Sequence, residues 1–171
     1  NPISAYLMSQ GNFTRWALAF HPISHGALDR VPGIPRRYTS RGFAQGVRRW
    51  IDWFDWMTPH NWDLEHNVLH HYHLGTEKDP DVVWRNAEKI RNLKMPIAIR
   101  YLLAVVLACI WKPFYYAPNT IAEARHHQKL SKTNRIGWHS WNPLTPEGRE
   151  LWIGSLLPYS IFKFAILPSL F

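Results

Sequence analysis

The 171-residue sequence predicts an all-α fold, in which integral membrane helices carry a water-facing helical cap. Three observations carry that expectation. Two apolar runs approach the ~20 residues a bilayer-crossing helix needs, strand-type alternation is weak throughout, and histidines recur at helical spacing in the polar part of the chain. A mean hydropathy of −0.29 is low for a bare helical bundle, so a large water-facing part has to accompany any spans.

Residues 1–20 are fairly apolar but include Gln10 and Arg15, and they read as the end of a span. The chain begins at Asn1 rather than Met and stops at Phe171 within an apolar run, so it reads as an internal piece of a longer protein. Residues 21–94 form the cap. Pro22 is tolerated only in a first helical turn, which predicts a helix start there with His21 as its cap. Residues 30–49, rich in Pro, Gly and Arg, read as a loop and then a basic helix start. Trp50, Trp53, Phe54 and Met57 recur at helical spacing, a stripe suited to a core or an interface. Thr58-Pro59 should end that helix, with the next capped by Asn61 or Asp63. A third is expected from Asp79, its cap, with Pro80 in the first turn.

Residues 95–118 are the first complete candidate span. Arg100 and Lys112 flank an uncharged centre from Tyr101 to Trp111, and Trp111, Tyr115 and Tyr116 would form an aromatic belt. The centre alone is short, and a buried core helix is the competing reading. Residues 119–150 are polar and read as a connecting excursion. Residues 151–171 are a second span, truncated, with Lys163 its only charge and Pro158 a site for a kink.

The formal charge of +8 comes without any nucleic-acid-binding signature. With the apolar runs and ten Trp, it fits basic flanks and aromatic anchors at a membrane surface. Cys109 is the single cysteine, which excludes an internal disulfide.

The chemistry concentrates in the histidines. His66 and His70 are four apart and lie about 40° from each other on a helix, while His71 sits about 100° further round, aimed at a second metal. Neutral imidazole is a common metal ligand and suits iron. His21 and His25 repeat the four-residue spacing beside the apolar start. These five are the candidate metal ligands. Glu123-x-x-His126 matches one element of a carboxylate-bridged di-iron bundle, but such sites need two of these motifs and further glutamates.

His66-Asn-Val-Leu-His70-His71, followed by Gly75 and Asp79-Pro80-Asp81, resembles the second histidine box of the membrane fatty acid desaturase superfamily. His21-Pro-Ile-Ser-His25 resembles its first box, and the order of spans and boxes is similar as well. The resemblance implies a single partial desaturase-like domain with a histidine-box cap and a non-haem di-iron centre held by His21, His25, His66, His70 and His71. It implies dioxygen-dependent desaturation of acyl lipids, with ferredoxin or a cytochrome b-type protein as electron donor. Arg36, Arg37, Arg41, Arg48 and Arg49 would face anionic headgroups or an acidic donor. The third box is absent from these residues, so the iron site here is incomplete, and catalysis is expected only if the full-length chain supplies it. The alternative is a non-catalytic relative serving as a subunit of a larger membrane assembly, such as a photosynthetic supercomplex. The resemblance favours a plastid or thylakoid membrane over the endoplasmic reticulum.

Overall fold

A computed structural model describes residues 1–53 and 55–170; Phe54, expected in the aromatic stripe, and Phe171 lie outside the described residues. All regular structure among the described residues is helical, with no strand. The chain forms two compact units, Asn1–Phe54 and Asp55–Phe171.

The first unit is built on α1, residues 2–24, capped by the Asn1 side chain, which accepts from the Ser4 N–H. It ends at His25, and Gly26 follows with φ of +76°. The loop beyond is closed by Asp29, whose carboxylate accepts from the Ser40 N–H and hydroxyl at 2.7 and 2.6 Å. Phe20, Phe43 and Trp53 form a small aromatic core. Arg15 donates to the Ile51 carbonyl and lies over the Phe20 ring.

In the second unit α2 spans residues 59–73, α3 Val83–Arg91, α4 Ile97–His127 and α5 Pro146–Ser169. Both α4 and α5 are long and apolar enough to cross a membrane. The first half of α4, Ile97–Trp111, buries no residue, whereas Ala117 to Ala124 are all buried against α2 and the start of α5. Trp62, Met57 and Leu151 fill the core there. Polar ties lock the same region: Asn61 donates to Glu150 at 2.6 Å, Lys112 pairs with Asp55 at 2.6 Å, and Ser155 donates to the Trp56 carbonyl. Gly148 is required where it stands, since a Cβ would lie 1.9 Å from the Asn142 carbonyl oxygen.

Several boundaries differ from expectation, two of them because a proline is accommodated inside a helix. The helix of residues 95–118 runs on through Pro118 to His127, that of 151–171 begins at Pro146, and His21 lies inside α1 rather than capping a new helix. A proline inside a helix lacks an N–H and crowds the carbonyl four residues back. Pro22, Pro118, Pro158 and Pro168 each follow a π-helical stretch: Trp16–Phe20, Lys112–Tyr116, Trp152–Leu156 and Phe162–Ile166. The residue before each proline donates its N–H five residues back, so the widened turn accommodates the ring and the helix continues.

Candidate metal centre

Thr58, not Asn61 or Asp63, caps α2: its hydroxyl accepts the Asn61 N–H, and Pro59 occupies the first turn where its missing N–H costs nothing. Downstream, Asp63–His70 is again π-helical, yet no proline follows it. The His71 N–H donates to the His66 carbonyl, five residues back. Residues five apart therefore come into line. The Nε2 atoms of His66 and His71 lie 3.3 Å apart, their rings perpendicular. His71, expected to point away, therefore joins His66, which keeps His70 beside it as expected.

His66 is held by stacking on the fully buried Trp62, ring centroids 4.4 Å apart. His70 lies beside it at 5.2 Å, nearly parallel, and gives its Nδ1–H to Asp79 at 2.8 Å. That bond leaves Nε2 with the lone pair, the arrangement in which a carboxylate orients a ligating histidine. Asp79 is not a helix cap, because α3 starts at Val83. It closes the turn after α2 instead, accepting the N–H groups of Gly75 and Asp81 at 2.9 Å each, with Gly75 at φ +72°. Burial alone would raise the Asp79 pKa, but the bonds from His70, Gly75 and Asp81 outweigh it and hold the carboxyl below its ordinary value. One ring nitrogen of His66, one of His70 and a carboxylate oxygen of Asp81 lie within 4.8 Å of one another.

Beneath these residues, Glu65 is fully buried and accepts from the Tyr116 hydroxyl at 3.2 Å. Burial, and then the Asp81 charge, push its carboxyl well above the usual range; burial raises Asp81 too. The pair therefore shares a proton. Sequence reasoning missed Glu65 altogether and gave Asp79 another role. The one available signal was an acidic residue directly preceding the first histidine of a cluster.

In the first unit His21 and His25 occupy the last turn of α1, with Nε2 atoms 2.8 Å apart and His21 stacked on Trp16. The basic residues after them are partly committed: Arg48 pairs with Asp52 at 2.6 Å, and Arg37 and Arg49 lie over Tyr38 and Trp50. Glu123 and His126 have separate partners. The Asn134 amide donates to Glu123, and His126 Nδ1 faces the Ser131 carbonyl.

No family model, curated protein or solved structure matches this chain.

The donors fit a first-row metal. Two nitrogens each about 2.0–2.1 Å from one ion lie about 2.9 Å apart at a right angle and about 3.4 Å apart at the tetrahedral angle. The 2.8 Å of His21–His25 and the 3.3 Å of His66–His71 match these spans. Imidazole with carboxylate suits iron among such metals.

Proposed function

We propose that the chain belongs to a membrane fatty acid desaturase-type protein, with His21, His25, His66, His70 and His71 as iron ligands. The single observation that carries this reading is the His66–His71 pair, drawn to chelating distance by a π-helical turn that no proline explains. The uncovered apolar half of α4 supports a bilayer setting. On the sequence resemblance alone, the plastid membrane is favoured over the endoplasmic reticulum, and ferredoxin or a cytochrome b-type protein is the donor.

In the reaction two hydrogens leave adjacent carbons of the acyl chain as a double bond forms. Dioxygen leaves as two waters, taking two further electrons from the donor and two protons from solvent. Bound iron supplies the reduction of dioxygen and the hydrogen abstraction. The protein's own part is positional. Asp79 fixes the His70 tautomer, Trp62 holds the His66 ring, and Glu65 keeps a proton in the wall below.

The test uses the full-length protein in liposomes with a deuterated acyl lipid, dioxygen and reduced ferredoxin. Conversion to the unsaturated lipid, abolished by His66→Ala, supports the reading. Protein that purifies without iron and leaves the lipid unchanged contradicts it, and the non-catalytic membrane subunit becomes the account.

A further inference from the structure

We propose that Asp81 is itself a metal ligand, so that His66, His70 and Asp81 form a two-histidine, one-carboxylate set within the second unit. The inference rests on the metal-binding reading above and adds a donor that a purely histidine-held site lacks. A facial set of this composition leaves coordination positions open and is characteristic of non-haem iron(II) centres that handle dioxygen.

Three observations carry it. The first is proximity: the three donor atoms lie within 4.8 Å of one another. In a facial set each pair of ligands about 2.0–2.2 Å from the ion stands about 2.8–3.1 Å apart, so the three side chains draw together when the ion binds. The second is shared support. Asp79 Oδ1 accepts from both the His70 ring and the Asp81 backbone N–H, so one carboxylate oxygen sets the orientation of one ligand and the backbone position of another. The third is the state of the Asp81 side chain. It is 27% exposed on a turn rather than locked in a helix. Its carboxyl takes a long 3.4 Å bond from the Tyr116 hydroxyl and shares a hydrogen bond with Glu65, both of which a metal ion can replace. Its negative charge would offset part of the charge that neutral imidazoles leave on a divalent ion.

Cobalt(II) is the probe, titrated anaerobically into the full-length protein in detergent, with calorimetry and the visible d–d spectrum as readouts. Asp81→Asn is expected to weaken the tightest site by at least about tenfold and to change the d–d bands, while Asp81→Glu stays within a few fold of the parent. Asp81→Cys is expected to add a thiolate-to-cobalt charge-transfer band absent from the parent, whose Cys109 lies on the apolar half of α4. That gain of signal decides the matter if Asp81→Asn fails to fold. Unchanged affinity and spectrum in Asp81→Asn, or no charge-transfer band in Asp81→Cys, overturns the assignment while cobalt binding by the parent leaves the histidine site standing. A parent protein that binds no cobalt, or binds it equally well after His66→Ala, overturns both.

Discussion

Asp79 accepts three hydrogens at once, from the His70 ring and from the backbone of Gly75 and Asp81. An amide in its place has one acceptor oxygen and cannot serve them all. Asp79→Asn is therefore expected to lower metal affinity by about 10–100-fold and to cost about 1–3 kcal/mol for the polar groups left unmatched. Cobalt titration and thermal unfolding of the purified protein read the two effects separately. Glu65 makes the opposite kind of prediction. Its pKa is raised in the fold, so the folded state holds a proton that the unfolded chain releases above the ordinary value of 4.5. Stability from this group is full below that value and declines as pH rises through the folded pKa. Glu65→Gln, which mimics the neutral acid, should flatten that alkaline loss in a pH series of melting curves; an unchanged slope would sink the assignment. The histidine cluster itself was legible, because side chains that share a helix face recur at a short, regular spacing. Asp79 and Glu65 were not, since their roles depend on how a turn folds back and on what α4 buries.

Secondary structure was legible in type and misread at its joints. Pro22, Pro118 and Pro158 sit within continuing helices, because a preceding π-helical stretch widens the turn for each. That device cannot be read from spacing rules built on 3.6 residues per turn. It also shaped the site, bringing His71 to His66 alongside the expected His70. Thr58-Pro59 was read as a break, and it is one, but it also caps α2 and aims the histidines. Thr58→Ala should cost about 1 kcal/mol, seen as a lower melting temperature with the far-ultraviolet spectrum retained. On α4, Val105 is 62% exposed in the stretch that buries nothing. If lipid covers it, Val105→Lys costs about 2.5–3.5 kcal/mol of insertion, measurable by glycosylation mapping in microsomes. If water covers it, the change falls within about 0.5 kcal/mol and leaves topology alone.

At the scale of the molecule, α4 divides the second unit's chemistry. One half is apolar and uncovered; the other is buried and carries Tyr116 beneath the histidine turn of α2. The histidine cluster and the uncovered apolar stretch thus lie on the same unit, joined through the buried half of α4. Residues 119–124, read from composition as part of an excursion, turned out to belong to the helix half that packs the core. Burial of Asn119, Thr120 and Glu123 is set by tertiary partners that composition does not reveal. The decisive measurement is the metal content of the full-length protein, purified anaerobically from iron-replete cells and read by plasma mass spectrometry with Mössbauer spectroscopy. The expected result is two irons per chain with nitrogen-rich coordination, lost on His66→Ala while helicity is kept. A well-folded, fully helical protein that carries no iron under those conditions would contradict it.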